Sequence, residues 1–186
     1  MTIPDSGSTT LLVMLGQLVS AASIDRTTDV LTGDAWRARA ARALRDETGA
    51  DDCCALLMID LDRFKSVNDV YGHLVGDRVL SASAEAIRAE VRVRDLVGRL
   101  GGDEFAVLMS HTDHASAAAA AERIRSRVAG LRITVETPHG PARVSGLTVS
   151  IGGALGRGPD LTALLWDADA ALYDAKRDGR NRCSIR

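Results

Sequence analysis

The chain has no surplus of either charge. Lys and Arg total 23 against 25 Asp and Glu, a formal balance of −2 over 186 residues, which gives no support to a non-specific nucleic-acid binder. Cysteine is scarce: there are three, two of them adjacent at Cys53 and Cys54. Neighbouring strand residues point to opposite faces, so that pair suits neither a disulfide nor a shared metal, and free thiols in a reducing cytoplasm are the expectation. Aromatic residues make up only 3% of the chain, and Trp36 and Trp166 are too isolated for a stacking platform. Long apolar runs are missing too. Leu11 to Val19 is too short to span a bilayer, and no basic residue precedes it, which argues against a signal peptide. No internal repeat, low-complexity linker or second domain is visible.

What is present, 46% apolar and 26% charged residues, is the composition of one globular domain with a sizeable core. Residues 1–9 are small and polar and are expected to be disordered. Leu11, Leu12, Leu15, Leu18 and Val19 fall at helical spacing within Thr10 to Ala22. Residues 1–24 therefore read as a tail and helix ahead of a 25–186 domain, with the apolar stripe packing on its own domain or on a second copy. A second helix is expected over Ala35 to Glu47. A third follows a turn-rich segment, with Val79, Leu80, Ile87 and Val91 as its apolar positions. ASAAAAAERIRSRVAGL is an alanine-rich helix, and LTALLWDADAALYDAKRDG a closing one ended by Gly179. CCALLMIDLD, RITVE and VSGLTVSIGG read as strands, while DLVGRL and FAVLM form a hairpin around GGDE. The order α-α-β-α-β-β-α-β-β-α predicts an α+β fold, a central and mostly antiparallel sheet flanked by helices.

Acids cluster where strands end. Asp60 and Asp62 alternate along the end of IDLDRFK and project from one side; taken alone, they suit a strand surfacing into solvent. The hairpin alters that reading. Gly101 and Gly102 permit a tight turn and leave room for another group to approach, and Asp103 and Glu104 sit at its tip. If the two strands are neighbours, Asp60 and Asp103 meet across the sheet, and a hard divalent cation relieves their repulsion. Mg²⁺ prefers such oxygen ligands and keeps positions for water and phosphates, which points to phosphoryl or nucleotidyl transfer with paired metals. His111 and His114 have a spacing found in metal sites, but no third ligand follows and they read as loop or helix-start residues.

GGDEF at 101–105, DLDRFKSVNDVYGHLVGD at 60–77, LTVSIG at 147–152 and ALYDAKRDGRN at 171–181 together resemble the GGDEF family of diguanylate cyclases, in the family's order and spacing from about Asp29 to Arg182. The resemblance implies a palm-like nucleotide-cyclase fold and the joining of two GTP into cyclic di-GMP with release of two pyrophosphates. It implies two Mg²⁺ per site, with Mn²⁺ as a substitute, held by Asp60, Asp103 and the Leu61 carbonyl. Glu104 would either help deprotonate the ribose 3′-hydroxyl or act as a further metal ligand. Asn68 and Asp77 would read the guanine edge. His73 would line the same pocket or serve as a capping or core histidine. Lys65 and the backbone at Arg63–Phe64 would cradle phosphate. Lys176 and Arg180, one turn apart near a helix end, would face the β and γ phosphates; on their own they read as a solvated basic helix end.

Arg92 and Asp95 match the family's inhibitory R-x-x-D motif and would bind product, the plainer alternative being an i,i+3 ion pair. One protomer holds one GTP, so the active species would be a homodimer, with the helix at Thr10 to Ala22 as candidate dimerisation element. The segment after DVLTG departs from the family's Leu-x-Asn-Arg and looks shortened. No sensor domain or Glu-Ala-Leu phosphodiesterase partner is recognisable, so the chain reads as a lone catalytic domain or a fragment, cytoplasmic and without a membrane segment. A catalytically silent receptor for cyclic di-GMP or GTP is the competing expectation, and the presence of both motif acids favours catalysis.

Overall fold

The computed structural model describes residues 23–46, 53–137, 140–158 and 160–186; the expected helix at Thr10 to Ala22 lies outside them. Its elements are β1 (Leu31–Thr32), α1 (Gly33–Asp46), β2 (Cys53–Leu61), α2 (Phe64–Tyr71), α3 (His73–Ala89), β3 (Leu96–Gly101), β4 (Glu104–Met109), α4 (His114–Ala129), β5 (Ile133–Thr137), β6 (Gly140–Val144), β7 (Val149–Arg157), α5 (Leu161–Arg177) and β8 (Cys183–Ile185). Six strands form one sheet in the order β1-β3-β4-β2-β7-β8, and β5 and β6 form a separate ribbon. β3, β4, β2 and β7 pair antiparallel, while the outer strands β1 and β8 pair parallel to their neighbours. This is the expected α+β architecture, a mixed sheet covered by helices.

The alternation along β2 explains the layering. Ala55, Leu57, Ile59 and Leu61 face one core with Val79 and Ile87 of α3 and Ala117, Ala121 and Ile124 of α4. Cys54, Leu56 and Met58 face the other, with Trp36 and Leu44 of α1 and Leu164, Ala168 and Leu172 of α5. Both faces of the central strands are covered, so β2 reads as an unbroken apolar run and not as an alternating one. α4 starts where the Asp113 side chain accepts a 2.8 Å bond from Ser116 N, and α5 where Asp160 accepts one of 2.9 Å from Ala163 N; both are side-chain N-caps. Gly152 of β7 lies so close to α5 that a Cβ there would stand 2.0 Å from the Leu172 nitrogen.

Several expectations need correction. The turn-rich segment before the long helix is itself a helix, α2, which buries none of its residues fully. VSGLTVSIGG is not one strand: Val144 ends β6, a loop follows, and β7 begins at Val149. Val91 lies beyond the end of α3, and the first helix starts at Gly33, two residues before the expected Ala35. β1 and β8 went unanticipated because two- and three-residue strands carry no readable periodicity. Among the described residues no helix is long and apolar enough to cross a membrane. Cys53, Cys54 and Cys183 are all free thiols.

Candidate active site

The site forms where β2 and β4 emerge together from the sheet. Their register places Asp60 opposite Glu104, and Leu61 N donates to the Asp103 carbonyl at 3.3 Å. The hairpin turn is made possible at Gly102, whose φ of +49° lies in the left-handed region. Glu104 is the first residue of β4 and not part of the turn. Asp60 belongs to the face of β2 that carries Met58 and Leu56, so it points toward α5. There its Oδ2 meets Lys176 Nζ at 2.7 Å.

Burial pushes the Asp60 carboxyl above its usual range, and repulsion from Asp103 and Asp62 adds to this, although Lys176 opposes both. Glu104 is also raised, first by partial burial and then by the Asp60 charge, with Asp103 and Asp169 contributing. The three acids thus form a crowded negative site that one ammonium only partly neutralises. That is an environment a hard divalent cation fits. Crowded as they are, these side chains do not stand in the arrangement of a closed metal site, and no group of three acid, histidine or cysteine side chains does so among the described residues.

Asp62, which the alternation grouped with Asp60, has a different role. Its carboxylate accepts from Thr148 Oγ1 and Ser150 Oγ at 2.7 Å each, and from Asn181 N at 3.0 Å. It is saturated with hydrogen bonds and ties the start of β7 and the turn after α5 to the end of β2. That turn holds Arg180. The expectation that Arg180 lies one helical turn from Lys176 fails, because α5 ends at Arg177 and Arg180 sits in a left-handed turn with φ +64°. Its nitrogen donates to the Ala175 carbonyl at 3.1 Å. Lys176 and Arg180 still flank the same strand end.

α2 begins at Phe64 after Arg63, itself left-handed at φ +57° with no side-chain cap. The first-turn N–H groups of Phe64 and Lys65 therefore stand at an uncapped helix start beside the acids, with the Lys65 side chain exposed. Asn68 of α2 packs against α3 at Gly76, where a Cβ would lie 1.9 Å from Asn68 Oδ1, and Asp77, the next residue, is exposed. Sequence reasoning passed over Gly76 as a site-shaping residue. The available signal was a glycine inside a helix, which costs about 1 kcal/mol against alanine and so calls for a reason. His73 is the first residue of α3 and is exposed, which removes the core reading.

A second cleft, of about 340 Å³, lies behind the hairpin and includes Arg92 and Asp95. The i,i+3 ion-pair reading is replaced by a turn, in which Asp95 Oδ2 accepts from the Arg92 backbone N at 2.7 Å. The Arg92 side chain is exposed. Asp95 is buried, and its Oδ1 lacks a partner. His111 lies in a loop and His114 opens α4, well apart from the acids in the chain.

The sequence matches the family described as "Diguanylate cyclase, GGDEF domain" over residues 22–182. It is 41% identical to the diguanylate cyclase DosC of Escherichia coli K12 over 132 residues, 70% of this chain and 28% of DosC. It is 45% identical to the response regulator PleD of Caulobacter vibrioides over 139 residues, 74% of this chain and 30% of PleD. The chain thus corresponds to under a third of either relative. The crystal structure of the coiled coil and GGDEF domain of DgcB from Caulobacter crescentus, in complex with c-di-GMP, superposes with a TM-score of 0.87 at 28% identity, covering 97% of this chain and 94% of that one. With the hairpin, the strand-end acids and the paired helices α2 and α3 in place, this chain belongs to the GGDEF domain family.

Proposed function

We propose that this domain is a diguanylate cyclase that condenses two GTP into cyclic di-GMP across a homodimer. The observation that carries the reading is the crowding of Asp60, Asp103 and Glu104 at one strand end, with Lys176 against Asp60 and Asn68 held against Gly76. Asn68 and Asp77 would take the guanine edge, with His73 at the rim; a carboxylate accepting from N1 and the exocyclic amine discriminates against adenine. Phe64 N–H, Lys65, Lys176 and Arg180 would hold the phosphate tail. Asp60, Asp103 and the Leu61 carbonyl would hold two Mg²⁺, or Mn²⁺ in their place. When bound, such ions neutralise phosphate charge and acidify the attacking hydroxyl.

Each GTP presents its 3′-hydroxyl to the α-phosphorus of the other. A bond from that oxygen to phosphorus forms as the bond to the β-phosphate oxygen breaks, and pyrophosphate leaves. The hydroxyl proton needs an acceptor, and Glu104, held above the ordinary carboxylate range, is suited to take it. Holding both nucleotides in line supplies most of the rate in such transfers. Arg92 and the inward-facing Asp95 would bind product in the second cleft and limit turnover. The 25–186 segment is read as the catalytic domain and the cytoplasm, which supplies GTP, as its setting. Incubation with GTP and Mg²⁺ followed by nucleotide chromatography tests the reading. Wild type is expected to yield cyclic di-GMP and pyrophosphate, and Glu104→Ala neither; a wild type that binds cyclic di-GMP without making it would establish the receptor instead.

A further inference from the structure

We propose that the exposed face of α5 beside Glu104, centred on Trp166, is where a second copy of this chain seats when the two nucleotides are brought together. The inference rests on the diguanylate cyclase reading. α5 packs on the sheet through Leu164, Ala168, Ala171, Leu172 and Ala175. Trp166, Asp169 and Tyr173, at i, i+3 and i+7, lie on another face, with Trp166 71% and Tyr173 64% exposed. The chain has only two Trp, two Tyr and two Phe, so a third of its aromatic side chains stand in solvent along one stripe. Nothing in the packing of α5 requires them there.

The stripe is continuous with the reactive end of the molecule. Trp166, Leu165 and Leu100 line a cleft of about 310 Å³ with Arg37, Asp169 and Glu104, and Lys176, one turn past Tyr173, meets Asp60. On the cyclase reading each protomer holds one nucleotide, so the second must arrive on a second copy. Its reacting atom has to come within about 3.5 Å of its target, so the surface bordering Glu104 meets the partner. A two-fold contact uses the same patch on both copies, and this patch carries charges of both signs, Arg37 with Asp169 and Glu104. Arg37 and Asp169 form no ion pair among the described residues, and in the pair Arg37 faces the partner's Asp169. Exposed Trp and Tyr are the side chains that most often anchor such contacts.

Trp36 is fully buried and donates from Nε1 to the Leu96 carbonyl at 3.0 Å, so an assembly-dependent change in indole emission reports Trp166. The probe is 3′-deoxy-GTP with Mg²⁺, which lacks the attacking hydroxyl and cannot react. With it, emission of the full chain is expected to move to shorter wavelength in step with dimer measured by sedimentation as protein concentration rises. Trp166→Ala is expected to bind 3′-deoxy-GTP as wild type does and to form cyclic di-GMP at least about tenfold more slowly at limiting protein concentration. The inference is overturned if no dimer forms, if a dimer forms without the emission change, or if the change follows nucleotide but not protein concentration. It is also overturned if Trp166→Ala condenses GTP at the wild-type rate. A wild type that makes no cyclic di-GMP sinks the cyclase reading instead, and emission and sedimentation still decide this one.

Discussion

At Gly76 one missing side chain makes room for another residue's amide. The space its Cβ would fill is taken by Asn68 Oδ1, so Gly76→Ala has to push the amide out of its place. The substitution should help the helix by up to about 1 kcal/mol while removing the hydrogen bond proposed from Asn68 to the base, worth about 1 kcal/mol. Titration calorimetry with 3′-deoxy-GTP is expected to show about fivefold weaker binding, alongside a thermal midpoint that is unchanged or raised. Opposite signs in the two measurements distinguish displacement of Asn68 from damage to the fold. Asp62 makes the complementary point. It resembles Asp60 in type and spacing, yet its three donors leave it as a brace for the turn that carries Arg180.

Among the elements, β7 and α5 meet backbone to backbone at Gly152. Gly152→Ala would place a carbon 2.0 Å from the Leu172 nitrogen and 2.3 Å from the Ala168 carbonyl oxygen. Backbone cannot swing aside as Asn68 can, so a loss of about 3 kcal/mol or more is expected in denaturant unfolding. Because α5 carries Lys176, activity should fall with stability. The elements with long apolar runs were legible from sequence: β2, the β3–β4 hairpin, α3, α4 and α5 all appear where periodicity and turn residues place them. α2 was missed because it buries none of its residues fully and follows a left-handed Arg63 without a capping side chain. The adjacency of Asp60 and the hairpin acids could be inferred from the strands. Gly179 marked the end of the closing helix, but the left-handed turn of Arg180 and the bond from Asn181 N to Asp62, 119 positions away, carry no sequence signal.

At the scale of the whole molecule, one arginine joins the leading segment to the hairpin. Arg99 donates from Nε to the Gly102 carbonyl at 2.9 Å and from Nη1 to Asp25 at 3.1 Å. Asp25 also accepts from Thr28 N and Oγ1 at 3.0 and 2.6 Å. Burial works against ionisation of Asp25, but the bonds from Thr28 and Arg99 outweigh it and hold its pKa below the ordinary 3.8. A depressed carboxylate stabilises the fold above the unfolded value, and that contribution disappears as pH falls through the folded one. Asp25→Ala should therefore lower the thermal midpoint at pH 7, and the gap to wild type should shrink as pH falls below 3.8. Equal gaps at both ends of the titration would mean that the charge contributes nothing.

The contact between Lys176 and Asp60 has a consequence for the order in which ligands add. While the ammonium rests on the carboxylate, a lone cation gains little by approaching, and a lone polyphosphate finds its lysine already engaged. Arrival of both together exchanges one partner for another on each side, so neither charge is left exposed. On the proposed site assignment, cation and nucleotide would bind with positive coupling, each raising the other's affinity by the same factor. In the empty domain Lys176 and Asp60 keep each other's charge paired, a pairing that a metal–nucleotide complex would replace on both sides at once.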